Sequence, residues 1–189
     1  MQQYIIPTTV QQVTEIKKSK FISFVFYVQT VEEIKAHLQQ LNKTYADATH
    51  ICYAYVVKDN GVKEKAVDNG EPSGTAGKPI LDCIKKQNYV NMLVAVVRYF
   101  GGIKLGAGGL VRAYSQGAKS VIESVKHLTQ EYIEFETINI EIQYNLLSNF
   151  KKYCLENNCI IENIEYKTNI EVQLKVPKGR NLNFDSYKN

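Results

Sequence analysis

The side chains best suited to chemistry sit in and between two glycine-rich stretches. The first reads Asp68-Asn69-Gly70-Glu71-Pro72-Ser73-Gly74-Thr75-Ala76-Gly77-Lys78-Pro79. The second reads Arg98-Tyr99-Phe100-Gly101-Gly102-Ile103-Lys104-Leu105-Gly106-Ala107-Gly108-Gly109-Leu110-Val111-Arg112-Ala113-Tyr114-Ser115. Each runs into a helical pattern, where exposed N–H groups and the helix dipole favour an anion. In the first, Asn-Gly makes a tight turn and Ser73 or Thr75 is placed to cap the helix. In the second, Arg98, Lys104 and Arg112 would add fixed positive charge around a phosphate or carboxylate. The alternatives are a plain hairpin-to-helix connection in the first and close helix-on-sheet packing in the second. Neither stretch carries a Walker or dinucleotide-binding glycine pattern.

Outside the glycines, His50 and Cys52 stand two apart on a strand and share a face, which suits a nucleophilic pair or half a metal site. No third residue completes either arrangement by spacing, so a packed strand pair is the simpler reading. Asp68 and Glu71 would form a carboxylate pair for acid–base work or metal binding. Nothing in the spacing calls for a cofactor or a metal, and none is expected.

Elements that position these residues are legible from pattern. Val10–Ile16 and Phe21–Val28 read as paired strands with the basic residues Lys17, Lys18 and Lys20 at their turn. Thr30 and Glu33 form a capping box for a helix carrying Ile34, Leu38 and Leu41 and ending at Asn42. Thr49–Val57 and Val62–Val67 flank Asp59-Asn60-Gly61, a hairpin signal. Met92–Val97 is apolar on both faces and is expected to be a central strand. A short helix around Ile80, Leu81 and Ile84 precedes it, and a longer one over residues 110–126 follows. That longer helix puts Leu110, Tyr114, Gly117, Ala118, Val121 and Val125 on one stripe and Arg112, Gln116, Lys119 and Glu123 on an outer ridge.

The composition of the 189 residues, 44% hydrophobic and 22% charged, excludes a disordered tail or a disulfide-stapled miniprotein. Nine of the eleven glycines fall within residues 70–117. The net charge is +4, with the basic excess confined to residues 1–133 (16 basic against 11 acidic). Cys52, Cys83, Cys154 and Cys159 match no common zinc spacing, and no signal segment or membrane-length apolar run is present. Free thiols in a reducing cytoplasm, with no membrane and no disulfide-linked partner, are the expectation. From Glu134 the pattern changes to strand (135–144), helix (146–156) and two strands (160–166 and 169–176). This is the first part of a ferredoxin-like order, leaving the lobe incomplete at its C-terminus.

DNGEPSGTAGKPIL, VVRYFGGIKLGAGGLVRAYS and the run Ala48-Thr49-His50-Ile51-Cys52-Tyr53-Ala54-Tyr55 together resemble the signature of the Impact family, YigZ-like in bacteria. Two departures are Asn69, where the family usually has Asp, and Ile51, where it often has His. The resemblance implies an α+β fold with two domains. Residues 1–130 would be an Impact-type domain, a ribosomal protein S5 domain 2-like α/β sandwich, and residues 134–189 a smaller ferredoxin-like lobe. It also implies a translation-related role, since eukaryotic relatives regulate translation under amino-acid starvation. Carried onto this chain, the shared surface is Glu71, Ser73, Gly74, Thr75, Arg98, Tyr99, Gly101, Gly102, Lys104, Gly108 and Arg112. The expected function is a cytoplasmic binding protein contacting RNA, the ribosome or a translation-regulating partner, with Tyr99 and Phe100 stacking on unpaired bases. The alternative is an enzyme acting on a small phosphorylated or carboxylated metabolite, with Asp68, Glu71, His50 and Cys52 as its candidate catalytic residues.

Overall fold

The structure is a computed structural model that describes residues 2–187; positions 1, 188 and 189, which the expected domain limits include, lie outside them. Its elements in chain order are β1 (Tyr4–Ile5), β2 (Val10–Ile16), β3 (Ser19–Tyr27), α1 (Val31–Thr44), β4 (His50–Lys58), β5 (Val62–Val67) and α2 (Gly77–Lys86). There follow β6 (Met92–Tyr99), α3 (Ala107–Ser124), β7 (Gln130–Glu131), β8 (Phe135–Ile142), α4 (Leu147–Glu156), β9 (Ile160–Tyr166) and β10 (Ile170–Pro177). The chain divides into two compact units, Met1–Tyr132 and Ile133–Asn189.

The first unit is built on a five-stranded antiparallel sheet in the order β2-β3-β6-β4-β5. The apolar run from Met92 becomes the middle strand because both of its faces are covered. Met92, Val94 and Val96 pack under α2 and α3, while Leu93, Ala95 and Val97 pack under α1. Alternation sorts β3 in the same way, with Phe21 and Val25 on the first side and Ile22, Phe24 and Phe26 on the second. Gly117 has a packing reason: a Cβ there would meet Ser23 Oγ at 2.6 Å, so a larger residue would force that buried hydroxyl to turn away.

Local chemistry explains most boundaries. Thr30 Oγ1 accepts from the Glu33 N–H and the Glu33 carboxylate accepts from the Gln29 N–H, and α1 runs to Thr44, two residues past the expected stop. Asn60 and Gly61, both at positive φ, close the β4–β5 hairpin. Lys17 (φ 48°) and Lys18 (φ 63°) make the tight β2–β3 turn, a conformation usually left to Asn or Gly. Helix α3 starts at Ala107, three residues before the expected Leu110, so Gly108 and Gly109 belong to its first turn. Arg112, Gln116, Lys119 and Glu123 form the exposed ridge of this helix, and the apolar stripe is buried.

The second unit has a three-stranded antiparallel sheet in the order β8-β10-β9, with a β-bulge between Gln173 and Leu174. Its core gathers Ile140, Ile142, Phe150, Cys154, Val172, Leu174 and Phe184. Among the described residues, no helix is long and apolar enough to cross a membrane.

Candidate functional site

Strand pairing brings the two glycine stretches to one end of the first unit's sheet. His50 faces Arg98 across β4 and β6, and Lys20 faces Tyr99 across β3 and β6. The loop after β6 therefore leaves beside the Lys17–Lys18 turn, and a Cβ at Gly101 would lie 1.9 Å from the Lys18 carbonyl oxygen. Ser19 Oγ accepts from the Gly101 N–H at 3.2 Å and fixes this approach. Between the stretches lies a cleft of about 300 Å³ whose walls include His50, Glu71, Arg98, Phe100, Lys104 and Ala107.

A buried ion pair forms the base of the cleft. Arg98 Nη1 donates to Glu71 Oε1 at 2.5 Å, with side chains only 6% and 3% exposed. Tyr114, fully buried on α3, donates its hydroxyl to the same oxygen at 2.8 Å. Burial and the neighbouring Cys52 and Glu71 push the Tyr114 hydroxyl pKa far up, so it stays protonated as a donor. The guanidinium of Arg98 lies over the rings of Phe21 (5.5 Å) and Phe100 (5.6 Å). Glu71 Oε2 accepts no hydrogen bond among the described residues; its polar neighbour is His50 Nε2 at 4.0 Å. His50 Nδ1 lies 3.0 Å from the Asn69 carbonyl oxygen. A carbonyl can only accept, so Nδ1 carries a proton and Nε2 is the nitrogen left to face Glu71.

The candidate catalytic set is reassigned by this geometry. Cys52 is fully buried, donates to the Asp68 carbonyl oxygen at 2.8 Å, and has its pKa pushed up to about 12, chiefly by burial. A thiol held neutral in this way is not a nucleophile. Asp68 and Glu71 do not work as a carboxylate pair. Asp68 Oδ1 accepts from the Ala76 and Gly77 N–H groups at 2.9 and 2.8 Å, and Oδ2 accepts from Gly74 at 2.8 Å. Burial alone would raise its pKa, but the three donors outweigh that and hold it below the ordinary carboxylate value. Asp68 thus performs the capping expected of Ser73 or Thr75: Ser73 is exposed, and Thr75 is buried with its hydroxyl donating to the Pro72 carbonyl oxygen.

Among the expected binding residues, Glu71, Arg98 and Lys104 line the cleft, and the others do not. Arg98 is committed to Glu71, so it is a buried support rather than a phosphate ligand. Tyr99 points to the opposite side of the sheet, packs beside the α1 core and donates to Asp47 Oδ1; the exposed aromatic at the cleft is Phe100, 46% accessible. Gly74 (φ 75°) and Gly102 (φ 82°) serve the chain path, and Gly101 serves the contact with Lys18. Gly108 has open space around its missing Cβ and no positive φ, so no packing or path explains it. Arg112 stands exposed on the α3 ridge, outside the cleft. A larger groove of about 960 Å³, bordered by Lys78, Cys83, Lys86, Val111 and Lys119, runs between α2 and α3; Gly74 is the one expected binding residue that lines it.

Sequence reasoning did not connect Lys17, Lys18 and Lys20 to the second glycine stretch. All three are exposed, and with Lys104 they form no ion pair among the described residues. Near Lys104, the N-cap of α3 is Gly106 (φ 71°), which offers no side-chain cap and leaves the first N–H groups of the helix open among the described residues. The signal was the β2–β3 turn itself, whose neighbour only the sheet order reveals.

Comparison with known proteins gives two family matches. The Impact N-terminal domain matches residues 17–122, and a domain of unknown function, DUF1949, matches residues 140–185. The IMPACT family member YvyE of Bacillus subtilis is 38% identical over 91% of this chain and 78% of its own length. The IMPACT family member YigZ of Escherichia coli is 31% identical over 98% of this chain and 92% of its own. A crystal structure of a hypothetical protein superposes with a TM-score of 0.69 at 31% identity, covering 93% of this chain and 85% of that one.

Proposed function

The chain belongs to the Impact family, and we propose that it is a translation-related binding protein that contacts RNA with the cleft and lysine cluster at the β2–β3 end of its first unit. One observation carries this reading: Lys17, Lys18 and Lys104, exposed and without ion-pair partners among the described residues, lie at the same end of the sheet as an exposed Phe100 and an uncapped helix start, with Lys20 on the other face of the β2–β3 hairpin. Lysines and open N–H groups take phosphates, and an aromatic face stacks on an unpaired base whatever its identity. The translation context rests on membership of the Impact family and on what the resemblance to that family implies.

The test is fluorescence anisotropy with a labelled single-stranded RNA across a salt series. Each phosphate contact to a single strand adds about 0.7 to the slope of log affinity against log salt. Replacing Lys17, Lys18 and Lys20 together by glutamine should lower that slope by about 2 and weaken binding at all sequences. If the RNA does not bind at 50 mM salt, or the triple variant leaves the slope unchanged, the reading is wrong.

The Glu71 Oε2 and His50 Nε2 atoms facing the cleft favour a second reading, an enzyme on a small phosphorylated or carboxylated metabolite. A thermal-shift screen of such compounds that yields no stabilising ligand would remove it.

A further inference from the structure

The base of the cleft carries chemistry that phosphate binding does not use. Glu71 is almost wholly buried, yet one of its carboxylate oxygens accepts no hydrogen bond among the described residues, and that oxygen sits 4.0 Å from Nε2 of His50. An ionised carboxylate buried to this degree normally fills its acceptor sites. Arg98 and Tyr114 both bind Oε1, which fixes the carboxylate plane and leaves Oε2 facing the cleft. The Asn69 carbonyl does the same for the imidazole, so with the ring neutral a carboxylate oxygen and an imidazole nitrogen stand side by side as oriented acceptors. Two neighbouring donors about 3 Å apart fit such a pair of acceptors at ordinary hydrogen-bond length.

We propose that this cleft binds a terminal ribose, with its cis-diol donating one hydroxyl to Glu71 Oε2 and the other to His50 Nε2. This rests on the RNA-contacting reading above and names the part of the strand the cleft takes. The two oxygens of a ribose cis-diol lie about 2.8 Å apart, and each then reaches its acceptor at ordinary hydrogen-bond length. An internal nucleotide has its 3′ oxygen esterified and offers one donor to the two acceptors, so it leaves one unpaired. Deoxyribose has the same defect. The remaining walls match the rest of a nucleotide: Lys104 and the open start of α3 for a phosphate, and the outer face of Phe100, whose other face covers Arg98, for a base. A volume of about 300 Å³ holds one nucleotide and no more. The 3′ end of an RNA strand and a free ribonucleoside monophosphate share this chemistry.

The test compares one short RNA sequence, labelled at its 5′ end, with four 3′ termini: the 2′,3′-diol, the 2′-deoxy, the 3′-deoxy and the 2′,3′-cyclic phosphate. The diol should bind at least about tenfold more tightly than the other three, the factor expected when a charge-assisted hydrogen bond is lost. In His50→Ala the diol should lose this advantage. Because the ligand is varied first, the answer does not depend on a variant that folds. Competition by adenosine monophosphate, but not by its 2′-deoxy counterpart, would identify the free nucleotide as an occupant; competition only by strands would identify the RNA end. Equal, salt-sensitive binding of all four termini overturns the diol site and leaves RNA contact standing. Binding of neither strands nor nucleotides overturns both.

Discussion

Removing one member of the Glu71–Arg98 pair and then both tests whether the cleft base is a structural unit. In Arg98→Met the Glu71 carboxylate stays buried and loses its charge partner, although the Tyr114 hydroxyl bond remains. Breaking a buried pair from one side costs about 3–5 kcal/mol. Loss of the two aromatic faces that hold the guanidinium adds roughly 0.5–1 kcal/mol, so the expected destabilisation is about 4 kcal/mol. Glu71→Leu leaves the guanidinium with Ser19 Oγ at 3.5 Å and the two rings, and should cost about 3 kcal/mol. The double variant removes both charges and the desolvation each requires, and should fall within about 2 kcal/mol of the parent. The cycle would then show a coupling of several kcal/mol, well above the typical value for neighbouring residues. Urea unfolding followed by circular dichroism gives the energies, and amide exchange over Met92–Tyr99 assigns the transition to the first unit. A cost below about 1 kcal/mol for Arg98→Met, or a double variant as unstable as the two single costs added, would refute this account of the site.

Three further outcomes follow from the same geometry. Asp68→Asn should destabilise by about 1–3 kcal/mol, because it removes a charge that accepts three backbone N–H groups at the start of α2. Asp68 is depressed in the folded chain, so its contribution is present above the ordinary carboxylate pKa and is lost as pH falls through the lower folded value; the stability difference between parent and variant should shrink over that acid window in pH-dependent melts. Gly101→Ala should lower the melting temperature sharply, since its Cβ meets the Lys18 carbonyl, while Gly108→Ala should hold or raise it; a reversed order would show the loop to be placed otherwise. Iodoacetamide should modify Cys83 before Cys52, Cys154 and Cys159, which are buried, as peptide mass spectrometry would show; equal labelling of Cys52 would contradict its hydrogen-bonded burial.

The parts of this structure that local pattern specifies were legible in the sequence. Asp59-Asn60-Gly61 announces the β4–β5 hairpin through its turn chemistry, and a run apolar on both faces is enough to make β6 central. Pattern starts helix α3 three residues late because Gly108 and Gly109 have low helix propensity, whereas the buried stripe after them outweighs that cost. Local pattern points to nearby hydroxyls for the α2 cap, because the true acceptor, Asp68, lies eight and nine residues before the N–H groups it takes. Glu71 and Arg98 were each singled out, but their pairing spans 27 residues and depends on the order of strands. The same holds for the lysine turn and the loop it supports. Types of residue could be read locally, and their partners only through the sheet.

The β2–β3 turn has a kinetic consequence. Two residues at positive φ between paired strands leave the backbone under Lys17, Lys18 and Lys20 with little freedom, so capture of a polyanion need not wait for a loop to order. The entropy given up is then that of the lysine side chains alone. Encounter should proceed at rates set by long-range attraction and diffusion, falling steeply as salt shortens its reach, with complex lifetime decided separately inside the cleft.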